Sequence, residues 1–265
     1  MNIQHPKALI TGAGSGIGRA LALQAAAAGY HLILVGRQTE PLMETARLCG
    51  GKHHCLSADI TTPEGRKAII KACGPKLALF ISNAGILSVG HLAKTDDTEI
   101  ERMMAANLTA PICLTGGLLP ALEAAQGQVA LVGSVFGDIA YPFFAGYSAS
   151  KFGLRGFAEA LRREVAPKKI SVTYIAPRAT RTKAAQAFDL LIKPMKMQLD
   201  EAETVAAQAW KAIERRQRDA YPRSAERVFV KLQRLFPKLI DRGLRDLPQD
   251  AAVLAALKTQ KGDLR

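Results

Sequence analysis

A tyrosine and a lysine stand four positions apart in the stretch "YSASK", as Tyr147 and Lys151. Four residues are slightly more than one helical turn, so in a helix both side chains project from one face and their heads can approach. A free tyrosine has a pKa of about 10, and a nearby ammonium stabilises the phenolate and lowers that value. The pair therefore fits general acid–base chemistry, although two ordinary surface side chains could share the same spacing.

A glycine-rich stretch, "TGAGSGIG" at 11–18, separates a short apolar run from an Ala- and Leu-rich segment. Gly12, Gly16 and Gly18 leave the backbone free of Cβ atoms there. A dinucleotide can then lie against the turn, with its pyrophosphate at the helix N-terminus. Because a predicted strand precedes the stretch and a predicted helix follows it, we expect a dinucleotide-binding loop. The alternative is a tight turn without a ligand.

The end of the second apolar run indicates which nicotinamide cofactor such a loop would bind. An acidic residue there would hydrogen-bond the 2′-hydroxyl of the adenosine ribose and repel a 2′-phosphate. The sequence instead has "VGRQTE", with Gly36 in place of a carboxylate and Arg37 beside it. Arginine is a permanently charged, planar fork that suits phosphate, so we expect NADP(H). The alternative is that Arg37 is a solvated loop residue.

Apolar runs alternate with helix-like segments along most of the chain. Apolar strands separated by helices are typical of a parallel sheet that is covered on both faces and joined by right-handed connections. The sequence therefore predicts an α/β fold with a doubly wound parallel sheet, a Rossmann fold. The predicted strands are 7–11, 31–36, 53–60, 77–85, 128–134 and 170–177, and the predicted helices include 16–29, 41–48, 63–73, 99–122 and 148–164.

A second hydroxyl belongs to this predicted site. Ser134 lies at the C-terminal end of the predicted strand 128–134. Ligands of open α/β sheets bind in the crevice at that end of the strands. The Ser134 hydroxyl is therefore placed to hydrogen-bond a substrate oxygen, unless it is only a polar strand end.

These features together resemble the short-chain dehydrogenases/reductases, specifically the members with a TGxxxGxG loop and a YxxxK pair. The similarity runs from about residue 7 to 182, and its motifs follow the order expected in that family. Each motif is modest alone, but seven in register are hard to attribute to chance. They are "TGAGSGIG", "AD" at 58–59, "SNAG" at 82–85, Asn107, "GSVFG" at 133–137, "YSASK", and Pro177 followed by Thr182.

The resemblance implies a catalytic tetrad of Asn107, Ser134, Tyr147 and Lys151. In the implied reaction, Tyr147 passes a proton to or from the substrate oxygen while a hydride moves between nicotinamide and the carbonyl carbon. Lys151 also bonds the nicotinamide ribose, and Asn107 helps to hold a water that relays the proton. Each side chain alone has an ordinary structural explanation. Their joint presence behind a dinucleotide loop favours the catalytic one.

The resemblance also implies which residues border the cofactor. Asp59 and Ile60 match positions that contact the adenine, and Thr182 matches a contact on the nicotinamide side. Asp59 could instead be a helix N-cap. The full predicted set is Gly12, Ser15, Gly16, Ile17, Gly18, Arg37, Asp59, Ile60, Asn83, Ala84, Gly85, Tyr147, Lys151, Pro177, Thr180 and Thr182.

The sequence departs from the family pattern after the sixth strand. In "PRATRT", Arg178 replaces a glycine and Thr180 replaces an aliphatic residue. A positive φ at that glycine would strain an arginine, so either the turn differs or Arg178 has a role of its own. It could bind a phosphate or an acidic substrate group, or it could form a structural salt bridge.

The segment 183–199 follows, where the family places a lid over the substrate. Its Phe188, Leu190, Leu191, Ile192, Met195 and Met197 suggest an apolar pocket wall, since methionine adapts to varied shapes. The alternative is a helix packed on the core.

Residues 221–265 extend beyond the family core of 1–220, and we treat them as a basic amphipathic helical extension. Apolar residues recur there at helical spacing with basic residues between them, and Pro237 should kink or split the helix. The extension could pack on its own domain or on a partner subunit, or it could lie on an anionic membrane. Nucleic acid is not expected to be a partner, since no recognised binding module is present.

The composition limits the cellular setting. The four cysteines show no CxxC pair and no metal-ligand spacing, which favours reduced thiols, no metal site and a cytoplasmic location. The chain also shows no signal-peptide pattern and no apolar run of about 18 residues. Its formal charge of +13 fits an anionic ligand or surface without identifying one. We expect a homodimer or homotetramer.

The sequence thus predicts an NADP(H)-dependent oxidoreductase that acts on a carbonyl or secondary alcohol of a fairly apolar substrate. Within enzymes, the alternative is a 3-oxoacyl-thioester reductase of fatty-acid or polyketide type. The alternative from another class is an NADPH-binding regulatory protein without turnover. The presence of Ser134, Tyr147 and Lys151 argues against that last possibility.

Overall fold

The computed structural model describes residues 5–222 and 226–262. Within these ranges a seven-stranded parallel sheet is formed by β1 (Lys7–Thr11), β2 (His31–Gly36), β3 (His54–Ser57), β4 (Leu79–Ser82), β5 (Gln128–Val132), β6 (Ser171–Ile175) and β9 (Asp219–Ala220). The strand order is β3-β2-β1-β4-β5-β6-β9, and a separate parallel pair joins β7 (Thr180–Arg181) to β8 (Asp200–Glu201). The predicted doubly wound α/β fold is confirmed.

Helices connect the strands. Those found in the described residues are α1 (Gly16–Ala27), α2 (Thr39–Cys49), α3 (Pro63–Cys73), α4 (Asp97–Met104), α5 (Ala110–Ala124), α6 (Ala145–Glu164), α7 (Asp189–Ile192), α8 (Ala202–Glu214), α9 (Glu226–Leu235), α10 (Pro237–Leu244) and α11 (Ala251–Gly262). The predicted split at Pro237 is confirmed, because α9 ends before it and α10 begins at it. The division of the chain at residue 221 stays a prediction.

Two apolar cores cover the two faces of the sheet. Successive strand residues point to opposite faces, so Leu9 packs with α3, α5 and α6 while Ile10 packs with α1, α2 and α8. Every residue of β5 is buried, as expected for a central strand covered on both sides. Because a core packs on each face of the sheet, the carboxyl ends of the parallel strands are held in fixed positions along one edge.

A long helix on one face of the sheet contains a change of hydrogen-bonding pattern. A π-helical segment, Ala105–Thr109, separates α4 from α5, whereas we expected one regular helix over 99–122. The stretch Asp97–Ala124 is long and apolar enough to cross a membrane by length and composition, which we had not expected of any segment. Its buried Leu114, Leu118 and Leu122 nevertheless belong to the core beneath the sheet.

A third apolar cluster lies beside the sheet and joins three parts of the chain. Phe144 packs with Phe188 and Leu191 of the 183–199 segment, and with Val253 and Leu257 of α11. The end of the extension therefore folds back onto its own domain. The predicted α6 also begins earlier than expected, at Ala145 instead of Ser148, which places Tyr147 in its first turn.

Candidate active site

A cleft of about 1050 Å³ opens at the carboxyl ends of the central strands. Most of the predicted site residues line it, from Gly12 and Arg37 at one end to Ser134, Tyr147 and Lys151 at the other. Two predicted residues, Gly18 and Asn107, do not belong to its lining.

The glycine loop needs its glycines for two different reasons. Gly12 and Gly16 adopt φ values of +66° and +52°, which side-chain-bearing residues rarely adopt. Gly18 is required by packing, because a Cβ there would lie 2.1 Å from the Gly12 carbonyl oxygen. Gly18 was predicted to border a cofactor; the structure instead places it where α1 packs against the loop.

Asn83 connects the glycine loop to β4. Its side-chain amide donates to the carbonyl oxygens of Thr11 at 3.0 Å and Gly12 at 3.2 Å. In return, the Thr11 hydroxyl accepts hydrogen bonds from the backbone N–H groups of Asn83 and Ala84. Asn83 thus fixes the loop from within the cleft wall.

Arg37 and Asp59 lie at the far end of the cleft from Tyr147. Arg37 is exposed and lines the cleft. The Asp59 carboxylate accepts hydrogen bonds from the backbone N–H and the hydroxyl of Thr61, and these lower its pKa, with a smaller effect from the charge of Arg37. Thr62, and not Asp59, caps α3, since its hydroxyl accepts from Gly65 N–H at 3.1 Å.

Tyr147, Ser134 and Lys151 meet at the other end of the cleft, as the sequence predicts. Lys151 lies one turn after Tyr147, and its Nζ is 5.7 Å from the centre of the Tyr147 ring. Lys151 is 5% exposed, and its Nζ donates to the Val132 carbonyl oxygen at 3.1 Å. An ammonium has three donors, so two remain for a bound molecule.

The pKa values of this pair follow burial. Burial raises the pKa of Tyr147 to about 12, and its interaction with the Ser134 hydroxyl acts in the opposite direction. Burial likewise lowers the pKa of Lys151 to about 8. We expected the ammonium to lower the pKa of the phenol. In the protein alone the pKa of Tyr147 is raised and not lowered, because burial is the largest effect on each of the two groups.

Asn107 lies in the π-helical segment and is fully buried. Its amide oxygen accepts from Ile86 N–H at 2.8 Å, while its amide nitrogen donates to the Ile86 carbonyl oxygen at 2.8 Å and to the Ser150 hydroxyl at 3.0 Å. The side chain therefore holds the segment after β4 against α6. A water-holding role for this residue stays a prediction.

Arg178 has a structural partner. It forms a bidentate ion pair with Asp200, at 2.6 and 2.8 Å, and a longer contact of 3.3 Å to Glu226 at the start of α9. These hydrogen bonds raise its pKa further above the ordinary range. Its φ is not positive, so the turn differs from one that requires glycine. Of the two roles considered for Arg178, the salt bridge is the one formed.

Tyr174 lies behind Ser134 and was not predicted from the sequence. It is fully buried on β6, and its hydroxyl donates to the Ser134 carbonyl oxygen at 3.2 Å. A Cβ on Gly133 or Gly137 would lie within 2.5 Å of its phenol group. The small residues in "GSVFG" and a tyrosine in a buried strand are the only signals of this contact in the sequence.

The end of the cleft near Tyr147 is aromatic. Phe136, Phe144 and Phe188 line it, and Phe136 makes edge contacts with Phe144 and Tyr147 at ring distances of 5.0 and 6.2 Å. Met197 lines the same region. Of the six residues predicted as an apolar wall, Phe188 and Met197 line the cleft, whereas Leu190, Leu191, Ile192 and Met195 do not. Phe136 and Phe144 come from segments whose direction the sequence did not indicate.

The burial of the Lys151 ammonium leads to a prediction about the stability of the protein. Below about pH 8 Lys151 is charged in both the folded and the unfolded chain, so folding carries the full cost of burying the charge. Between about pH 8 and pH 10.5 the unfolded chain binds more protons, so stability rises with pH. Lys151→Met should therefore raise the free energy of unfolding near neutral pH by about 1–3 kcal/mol and flatten that rise.

Urea unfolding over this pH range measures both effects. Lys67→Met, at an exposed position on α3, is the matched control and should change stability by less than about 0.5 kcal/mol. A Lys151→Met protein less stable than wild type near neutral pH would contradict this account of the buried charge.

Known proteins are similar to this chain in sequence. The family model for short chain dehydrogenase matches residues 6–190. Dehydrogenase/reductase SDR family member 7B of Bos taurus is 35% identical over 188 residues, which cover 66% of this chain and 58% of that protein. The putative oxidoreductase SadH of Mycobacterium tuberculosis is 35% identical over 188 residues, covering 68% of each chain. The chain thus spans somewhat over half of the length of some of these relatives.

Solved structures agree in fold. A short-chain dehydrogenase from Sphingobium yanoikuyae in complex with NADPH superposes with a TM-score of 0.75 at 27% identity, covering 89% of this chain and 95% of that one. A 3-ketoacyl-(acyl-carrier-protein) reductase from Brucella melitensis complexed with NADH gives 0.73 at 25% identity, covering 78% and 90%. With the matched family model and the cleft described above, these likenesses show that the chain belongs to the short-chain dehydrogenase/reductase family of oxidoreductases.

Proposed function

We propose that this chain is an NADP(H)-dependent reductase of a carbonyl group on a fairly apolar molecule, and in reverse a dehydrogenase of the corresponding alcohol. The observation that carries the proposal is the meeting of Tyr147, Ser134 and Lys151 at one end of a cleft that has Arg37 at the other. We propose that it works as a homodimer or homotetramer in the cytoplasm.

The chain's own groups fit a dinucleotide. The glycine loop presents backbone without Cβ atoms to the cleft through Gly12, Gly14 and Gly16. Lys151 keeps two donors for ribose hydroxyls, and Arg37 offers a charged fork for a 2′-phosphate. The predicted contacts also include Ser15, Ile17, Ile60, Ala84, Pro177, Thr180 and Thr182, which all line the cleft. Bound NADPH would supply the hydride.

The proton chemistry belongs to Tyr147. With a pKa of about 12 the phenol is protonated at neutral pH, which is the state needed to donate a proton to an oxygen that gains charge. Ser134 can donate a second hydrogen bond to that oxygen. Lys151 contributes positive charge behind the phenol, which favours the phenolate that forms once the proton has left.

An apolar substrate fits the aromatic end of the cleft. Phe136, Phe144 and Phe188 offer apolar surface to a bound molecule there. Arg178, the nearby cation of the altered loop, is held by Asp200 and Glu226. This loop therefore gives little support to the 3-oxoacyl-thioester alternative, which remains second. One relative supports keeping this alternative, since a 3-oxoacyl-[acyl-carrier-protein] reductase of Vibrio cholerae is 30% identical over 193 residues.

Tyr147→Phe tests the proton donor. Removing the hydroxyl should lower kcat by about 10²–10⁴-fold while NADPH binding, followed by cofactor fluorescence, is kept. Activity is measured as loss of reduced-nicotinamide absorbance with a panel of ketones, aldehydes and acyl thioesters. Tyr30→Phe, on the other face of the sheet against Trp210, should keep full activity. Full turnover by Tyr147→Phe would reject the mechanism.

Wild-type protein that binds NADPH without turning over any compound would favour the regulatory alternative.

Arg37→Asp tests the cofactor choice. Replacing the cation by a carboxylate should weaken NADPH binding by about 10–100-fold and leave NADH binding unchanged or improved. Titrations of both cofactors measure this difference. Lys71→Asp makes the same charge change at the exposed end of α3 and should affect the two cofactors equally. Equal effects of Arg37→Asp on NADPH and NADH would exclude a phosphate contact.

Tyr174→Phe tests whether Tyr174 positions Ser134. Loss of the hydrogen bond to the Ser134 carbonyl should lower kcat about three- to tenfold without changing NADPH affinity. A purely structural role would lower stability but leave kcat of the folded enzyme unchanged. Steady-state kinetics at a temperature well below unfolding separate the two outcomes.

A further inference from the structure

The helices α9 and α10 carry an apolar surface that faces away from the rest of the protein. Five of the twelve large apolar side chains that are exposed in the described residues fall within 228–239. They are Val228, Phe229, Leu235, Phe236 and Leu239, which we call the outer face. Such a concentration marks an interaction surface, since single exposed apolar residues are scattered over ordinary protein surfaces.

The orientation of α9 is fixed by contacts on its inner side. Val230 is 4% exposed, and Arg234 forms a 2.9 Å ion pair with the buried carboxylate of Asp138. At about 100° per residue, Val228 and Leu235 lie roughly 140–160° around the helix from Val230. They are 65% and 71% exposed. The helix is therefore amphipathic with most of its apolar surface turned outward.

Basic side chains border the outer face. Arg227, Lys231, Lys238 and Arg242 are all exposed along this segment, and Asp241 is the exposed acidic residue among them. A helix with apolar and aromatic residues on one side and Lys or Arg beside them is the pattern that lies in a membrane interface. The formal charge of +13 adds long-range attraction to an anionic surface.

We propose that the outer face of α9–α10 docks on an anionic lipid bilayer. A second copy of the chain is the less favourable occupant, because a symmetric contact would bring together two faces that are both bordered by Lys231, Lys238 and Arg242. Anionic headgroups neutralise these side chains, while the acyl region takes up Val228, Leu235 and Phe236.

The helix that carries the docking surface begins beside the cleft. Glu226, the first residue of α9, contacts Arg178 at 3.3 Å, and Arg178 lines the cleft. A protein held by this surface would therefore have its cleft beside the bilayer, from which an apolar substrate could enter. The entry of substrate rests on the proposed function, whereas the docking itself does not.

Co-sedimentation of the full chain with vesicles tests the proposal without any turnover. Partitioning onto phosphatidylcholine vesicles that contain phosphatidylglycerol should exceed that onto phosphatidylcholine alone at least about tenfold, and added salt should reduce it. Equal partitioning onto both, or none onto either, would overturn the proposal. Because no substrate is present, failure here is separate from failure of the reductase assay.

Two variants separate the apolar from the charged contribution. The triple variant Val228→Ser, Leu235→Ser, Phe236→Ser should lose about tenfold or more of the partitioning. The double variant Lys231→Gln, Lys238→Gln should lose about fivefold per residue. The control Met43→Ser, Leu92→Ser removes side chains of similar exposure, 60% and 62%, outside the segment and should bind as wild type.

The oligomeric state of the triple variant tests the competing occupant. Under the proposal its mass in solution, measured by light scattering, equals that of the wild type. Conversion of a wild-type dimer to a monomer would identify the outer face as a subunit contact and overturn lipid docking. If the triple variant does not fold, the double variant Lys231→Gln, Lys238→Gln replaces it in the mass measurement. Both of its changed side chains are exposed, so the substitutions leave the apolar cores intact.

Discussion

The burial of one ammonium is the constraint on which the site depends. Lys151 lines the cleft, and among the described residues its Nζ has one hydrogen-bond partner, the carbonyl oxygen of Val132 at the end of β5. An ammonium in such surroundings loses most of its hydration, so the remainder of the fold must compensate. The two cores provide that stability, because they clamp β5 between helices on both faces. If the end of β5 were held less firmly, water would reach the ammonium and reduce the effect of burial on its pKa.

The same rigid strand end connects to the C-terminal extension through buried polar groups. Asp138, four residues after Ser134, pairs with Arg155 of α6 at 2.6 Å and with Arg234 of α9 at 2.9 Å. Arg155 also lies 5.3 Å from the ring of Tyr174, whose hydroxyl meets Ser134. Burial raises the pKa of Asp138, and the charge of Arg155 together with the hydrogen bonds from Tyr221 and Arg155 acts in the opposite direction. The extension is thus attached to the loop that carries Ser134.

The fold and the centre of the site could be predicted because local patterns specify them. Apolar runs of strand length and the glycine loop determine the sheet, and the spacing of Tyr147 and Lys151 places them on one helix face whatever surrounds them. Contacts between distant segments could not be predicted. The pairing of Arg178 with Asp200, the packing of Tyr174 under Ser134 and the π-helical turn at Asn107 depend on how loops meet in space. The spacing of residues along the sequence does not show which loops contact each other.

The direction in which the pKa of Tyr147 shifts shows how contacts that the sequence did not predict change the chemistry. Spacing alone suggested a phenol made more acidic by its neighbour, but burial leaves it protonated and makes Lys151 easier to deprotonate. A protonated phenol is ready to donate, so the chain's own groups favour the acid role needed for reduction. The base role needed for alcohol oxidation requires the phenolate. That state needs positive charge in addition to what Lys151 supplies, and an oxidised nicotinamide ring would bring it only when bound. The chain alone therefore supplies a proton donor, and the conversion of Tyr147 to a base depends on the bound cofactor.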